Sequence, residues 1–251
     1  MQESVLVVGA TGDMGKAVVK RLVTSSYRVV AIARSAKALD SLSADLGHPD
    51  NLACCPADIG VDDSIDTIRS CIEGPVRAVV HGPGVPTAGG VSDVPCSALT
   101  EAVNIKVGGM VRLVRAADAH LVKHSRLIAI GGHYGFEPTA YAATAGVANA
   151  ALANLMRQYS WAMGERGITA HLIAPGPADT SRLRRVAKAK AEREGSSVEE
   201  VLESLKSESA INAFTDIEHI AWAVSTLMDR EADALAGSAL FMDAGRRRGT
   251  P

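Results

Sequence analysis

Ser4-Val-Leu-Val-Val-Gly9-Ala-Thr-Gly12-Asp-Met-Gly15 is a short apolar run that halts at a glycine and is followed by two more glycines at three-residue intervals. A helical pattern starts at once: Met14, Val18, Leu22 and Val23 recur near one face over Met14–Ser25. A buried strand, a tight turn and a helix N-terminus carry this signature. Gly9 permits the turn, Gly12 lets bare backbone approach a pyrophosphate, and Gly15 allows close helix–strand packing. The helix's free N–H groups and positive dipole end face the phosphates. Thr11, Asp13 and Met14 border the same turn. The run Arg28-Val-Val-Ala-Ile-Ala33 completes a βαβ unit of about 30 residues. The pattern predicts dinucleotide binding.

Outward from this unit, β-branched runs alternate with helical patterns. Strands are predicted over Val5–Val8, Val29–Ala33, Leu52–Pro56, Ala78–His81, Leu127–Ile130, Ala170–Ala174 and Ala239–Met242. Helices are predicted over Met14–Ser25, Lys37–Leu46, Ser64–Glu73, Ala98–Leu121, Ala140–Glu165 and Ile217–Met228. The alternation predicts an α/β fold of Rossmann type: a doubly wound, mostly parallel seven-stranded sheet with helices on both faces. The whole chain, 1–251, reads as one domain. The stretch from Asp179 to Asp216 breaks the rhythm. It is densely charged and reads as a lid-like helical insertion at about 179–216.

A net charge of -2 points away from nucleic acid and from membrane surfaces as partners. No apolar run approaches the about 18 residues of a membrane span, and the first strand begins almost immediately, so a cytoplasmic protein is expected. Cys54, Cys55, Cys71 and Cys96 show no metal spacing and read as reduced thiols. His120 and His124 have i, i+4 spacing but no carboxylate between them, so they read as complements to a helix C-terminus and no metal is expected. Trp161 and Trp222 read as helix-packing residues.

Further motifs follow the later strands. Ala33-Arg34-Ser35 closes the second strand and Asp58-Ile59 follows the third. His81-Gly82-Pro83-Gly84 follows the fourth, and Asn104 lies in the next helix. Tyr141-Ala-Ala-Thr-Ala145 precedes a long Ala-rich helix. Pro175-Gly176-Pro-Ala-Asp-Thr180 follows the sixth strand and Asp243-Ala-Gly245 the seventh. In this order and spacing the chain resembles the short-chain dehydrogenase/reductase family over nearly its whole length. The resemblance implies that Asp58 and Ile59 border an adenine and that Gly82, Pro83 and Gly84 admit a ribose. It implies further that Thr180, with the Pro175-Gly176 backbone, meets a carboxamide, and that Asn104 plays the family's structural part. An Ala-rich helix such as Ala140–Glu165 commonly forms a dimer or tetramer contact in that family, so a homodimer or homotetramer is expected.

The cofactor's identity can be argued from charge. An acid at the end of the second strand would bind a ribose 2′-hydroxyl and select NAD(H). Arg34 stands there instead, with Ser35 and Lys37 beside it, a set suited to a 2′-phosphate. NADP(H) is therefore favoured over NAD(H).

The resemblance also exposes a departure. The family's tyrosine passes a proton to or from the substrate oxygen, a lysine four residues later lowers that tyrosine's pKa, and a serine hydrogen-bonds the oxygen. Tyr141 keeps the tyrosine, Ala145 replaces the lysine, and Gly132 stands at the serine position. The segment between Gly132 and Tyr141 is also shorter than usual. Losing a positioned acid–base group lowers rates by about 10²–10⁴-fold. His133 and then Tyr134 are candidate replacements, with Thr139 and Thr144 as hydroxyl donors. Lys106, two residues past Asn104, points away from it on a helix and is the weakest candidate.

The sequence thus predicts an NADP(H)-dependent oxidoreductase acting on a small carbonyl or alcohol, with Tyr141, Asn104 and His133 as its catalytic set. Two alternatives stay open: a cofactor-binding sensor or partner protein without turnover, and a non-redox lyase or isomerase on the same scaffold.

Overall fold

Seven strands alternate with helices in the computed structural model, which describes residues 2–85 and 87–249. The order is β1 (Ser4–Val8), α1 (Asp13–Val23), β2 (Arg28–Ala33), α2 (Ala36–Asp45), β3 (Leu52–Pro56), α3 (Ser64–Ser70) and β4 (Val76–His81). Then come α4 (Cys96–Val103), α5 (Gly109–Ala117), β5 (Leu121–Ile130), α6 (Ala143–Gly164) and β6 (Thr169–Pro175). The chain finishes with α7 (Ser181–Glu194), α8 (Val198–Ser207), α9 (Ile217–Leu227) and β7 (Ala239–Met242).

The strands form one sheet in the order β3-β2-β1-β4-β5-β6-β7, and every pairing is parallel. β1 is central, with Val7 opposite Ala31 on one side and Val80 on the other. Both faces are covered, which is why Val5 to Val8 of β1 form an unbroken apolar run. Val5 and Val7 pack with α1, α2 and α9, whereas Leu6 and Val8 pack with α3, α5 and α6. Cys54 and Cys55 divide between the same two layers.

The chain departs from the sequence reading in three places. The single helix expected over Ala98–Leu121 is broken: α4 passes through a π turn at Asn104–Gly108 into α5, and a 3-10 turn at Asp118–His120 ends it. Gly109, just after the turn, lies so close to β4 that a Cβ there would meet the His81 Cε1 atom at 2.8 Å. β5 starts at Leu121 rather than Leu127, so His124 belongs to a strand. It bonds Asp233 at 3.0 Å, and His120 bonds the Gly74 carbonyl. The tryptophans are not core residues: Trp161 is 80% exposed on α6 and Trp222 is half exposed on α9.

The charged segment after β6 folds as α7 and α8. Thr180 caps α7 through the Leu183 N–H, Gly195 ends it in the left-handed conformation, and Ser197 with Glu200 forms a capping box on α8. The two helices bury Ala187, Ala191 and Val201 against each other. A bridge between Ala178 and Thr215 closes the base of the excursion.

Candidate active site

Most of the motif residues stand at or just beyond the carboxyl ends of the strands. The winding of the sheet reverses beside β1, with β2 and β3 laid to one side and β4 onward to the other, and ligands of open α/β sheets bind at such a switch point. There the β1 and β4 loops touch: Gly9 has φ +82°, and a Cβ on it would lie 3.0 Å from Gly82 and Pro83 backbone atoms.

The three glycines of the turn are held by different demands. Gly15 packs α1 onto the turn, and a Cβ there would overlap the Gly9 carbonyl oxygen at 2.1 Å. A Cβ at Gly12 would meet only that same oxygen, at 3.4 Å, an ordinary contact. Protein packing therefore requires glycine at 9 and 15 and leaves the outer side of Gly12 open. Gly12 is also the N-cap of α1 and its side offers no capping bond, so the first N–H groups of the helix face outward. Thr11 and Met14 are half-buried beside it. The Asp13 carboxylate does not cap α1. It accepts hydrogen bonds of 2.9 Å from both the backbone N–H and the hydroxyl of Ser181, tying the turn to the first residue of α7.

Arg34 is exposed at the end of β2 and makes no hydrogen bond or ion pair among the described residues. Ser35 beside it caps α2 by accepting from the Ala38 N–H at 3.2 Å. After β3, Asp58 is exposed and accepts from the Gly60 N–H, while Ile59 is buried. The Asn104 amide donates to the Gly60 carbonyl at 2.8 Å. Asn104 thus ties the π turn to the Asp58–Gly60 loop. Gly84 follows Gly82 and Pro83 on the β4 loop. Beyond β6, Pro175 and Gly176 are buried against Asp243, and Thr180 is half-buried at the start of α7.

The catalytic candidates lie around the exit of β5. Tyr141 sits in the turn before α6, is 59% exposed, and has its hydroxyl 3.1 Å from that of Tyr134. Burial pushes the Tyr134 phenol above its ordinary value, aided by the hydrogen bond to Tyr141. With His133, Glu137, Arg246 and others, the two tyrosines line a pocket of about 180 Å³. His133 itself is buried, with Nδ1 3.3 Å from the Pro175 carbonyl oxygen. Burial, helped by the Arg246 charge, holds its imidazole down at about 4. At neutral pH the buried His133 imidazole is thus held uncharged. Ala145, at the lysine position, packs against Val85, Ala102 and Ala148.

Two further residues lie near this exit, Lys106, ranked lowest among the candidates in the sequence reading, and Asn149, which that reading did not single out. Lys106 is not turned outward. The π turn buries it to 5% exposure, and its ammonium donates to the Ile130 carbonyl at 2.8 Å, at the last residue of β5. Asn149 on α6 is 5% exposed, and its carboxamide lies against Gly131 and Gly132. The only signal for Asn149 was a polar residue on the inner face of an otherwise apolar, Ala-rich helix.

A family model described as enoyl-(acyl carrier protein) reductase matches residues 9–247. The 3-oxoacyl-[acyl-carrier-protein] reductase MabA of Mycobacterium avium is 26% identical over 254 residues, covering 99% of this chain and 91% of the relative. L-sorbose reductase from Gluconobacter frateurii, solved with NADPH and L-sorbose, superposes with a TM-score of 0.90 at 18% identity, over 99% of this chain and 98% of that one. YwfH, an NADPH-dependent reductase involved in bacilysin biosynthesis, gives 0.89 at 19% identity over 100% of both chains.

Proposed function

The chain belongs to the short-chain dehydrogenase/reductase family, and from that premise we propose that it is an NADP(H)-dependent oxidoreductase interconverting a carbonyl and an alcohol. The observation that carries the cofactor assignment is the exposed, unengaged Arg34 beside the open turn at Gly12. A guanidinium there suits a 2′-phosphate, and no acid competes at the end of β2. Similarity to proteins solved with NADPH supports the same reading.

The dinucleotide, when bound, would supply the hydride. Gly12 and the N-terminus of α1 hold its pyrophosphate, and Arg34 and Ser35 hold its 2′-phosphate. The β4 loop at Gly82–Gly84 and the Pro175–Thr180 segment orient the rest. The α7–α8 excursion covers the substrate and excludes water. Tyr141 gives the oxygen its proton, and Tyr134 stands hydrogen-bonded behind it. Both are phenols, and Tyr134, half-buried and held above its ordinary value, orients Tyr141 rather than giving up a proton itself.

The test is direct. NADPH binding is measured by fluorescence, and NADPH oxidation is then followed against 3-oxoacyl thioesters, ketoses, quinones and imines. Binding together with oxidation by at least one carbonyl is expected. One observation favours a second reading, a cofactor-binding protein without turnover: Tyr141 is largely exposed, and Ala145, packed among apolar residues, stands where a neighbouring lysine would be expected. Tight NADPH binding with no oxidation across the panel would decide for it.

A further inference from the structure

The missing serine and the unexpected asparagine occupy the same place. Gly132 has φ 174° and ψ 153°, an extended backbone that any residue adopts, so conformation does not require glycine. Space does: a Cβ at Gly132 would lie 2.8 Å from the Asn149 Nδ2 atom. The carboxamide of α6 therefore fills the volume into which a side chain at position 132 would project. The backbone and Cβ of Asn149 are fixed in place by close packing. The turn after β5 presses on it, since a Cβ at Gly135 would meet Asn149 backbone carbon at 2.8 Å and its Cβ at 3.0 Å. Yet the fold uses neither end of the amide: Nδ2 makes no hydrogen bond among the described residues. The Asn149 Oδ1 atom is buried and has no hydrogen-bond partner. Buried polar groups are rarely left so, and exceptions call for a functional reason.

We propose that Asn149 is a catalytic residue whose Nδ2–H donates a hydrogen bond to the substrate's carbonyl oxygen, and this rests on the oxidoreductase reading above. During reduction the hydride adds to the carbonyl carbon, the C=O π pair moves onto oxygen, and oxygen takes its proton from Tyr141. Asn149 gives up neither proton nor electrons. It stabilises the negative charge that gathers on oxygen, and a rigid donor does this without reorganising. The glycine at 132 is then a consequence of where the amide stands.

The experiment uses the full chain, with Asn149→Leu to keep volume and Asn149→Asp to keep shape while removing the donor. Circular dichroism checks folding, and NADPH affinity, kcat and KM are measured from pH 6 to 9 with the carbonyl from the panel that wild type reduces best. The expected result is NADPH affinity within about twofold of wild type and kcat lowered by about 10²–10³ in Asn149→Leu, the usual loss for one such donor. Asn149→Asp should be equally slow at high pH and recover as pH falls, because a protonated carboxyl can donate again. Full kcat in Asn149→Leu, or a pH-indifferent Asn149→Asp, would overturn the proposal. Should wild type bind NADPH but reduce nothing, the Asn149 side-chain amide signal in ¹H–¹⁵N spectra, identified by its loss in Asn149→Leu, is followed as acetoacetyl-N-acetylcysteamine is added to the NADP⁺ complex. A shift is expected, and an unmoved signal overturns the proposal as well. Wild type that fails to bind NADPH contradicts the function proposed above, whereas normal binding with indifferent Asn149 variants contradicts this inference alone.

Discussion

Gly12 and Gly15 differ by three positions and answer to different partners. A methyl at 15 has nowhere to go, while a methyl at 12 meets nothing closer than 3.4 Å. Gly15→Ala should therefore destabilise the protein by about 1–3 kcal/mol or more, visible as a lowered denaturation midpoint. Gly12→Ala should leave that midpoint nearly unchanged and weaken NADPH at least tenfold in a fluorescence titration. Equal NADPH affinity in the folded Gly12→Ala protein would mean that the open side of the turn is not a phosphate site. Tyr141→Phe should lower kcat at least tenfold with NADPH affinity preserved, and unchanged turnover would remove Tyr141 from the mechanism. The glycine turn was legible in sequence because its meaning lies in spacing along one segment. Asn149 was not, because its meaning depends on what a different element, the exit of β5, places opposite it.

Among the elements, the α7–α8 excursion is the one whose attachment can be tested cleanly. Its first turn hangs on the Asp13 carboxylate through two hydrogen bonds, while its base is fixed separately by the Ala178–Thr215 bridge. Asp13→Ala should raise amide exchange across α7 and α8 with no change in the central strands. Uniform protection in the variant would show that the tie does not hold the excursion. The strands were read closely because strands buried on both faces are unbroken apolar runs. β5 was read short for a physical reason. Its first half carries Lys123, His124, Ser125 and Arg126, polar residues that periodicity assigns to a surface. Arg126 is nevertheless fully buried, paired with Asp233 at 2.6 Å and bonded to the Leu227 and Asp229 carbonyls. The helix break at Asn104–Gly108 was hidden likewise, because a π turn leaves no composition signal and Lys106 looks like a solvated residue until Ile130 is seen beside it.

Taken whole, the molecule keeps several histidines buried and uncharged. Burial holds His81 down at about 3, with the Lys106 charge assisting, and holds His171 at about 4, with Arg126 assisting. His133 lies at about 4 for the same first reason. The unfolded chain takes up these protons near 6.5 and the folded chain does not. Their contribution is therefore complete above pH 6.5 and is lost as pH falls toward 4 and then 3, at roughly 1 kcal/mol or more per unit of depression. The urea midpoint should drop steadily from pH 7 to pH 4, and a flat profile would contradict the buried neutral state. The seven-stranded architecture was legible because local pattern and global topology agree throughout; the catalytic centre was less so because the chain departs there from the pattern it resembles. The account stands on the nucleotide cradle marked by Arg34. The most direct measurement is a paired titration of NADPH and NADH into wild type and Arg34→Ala. The account predicts that wild type prefers NADPH by at least tenfold and that the variant loses this preference with NADH affinity unchanged. Equal affinity for the two in wild type, or a preference that survives the substitution, would contradict it.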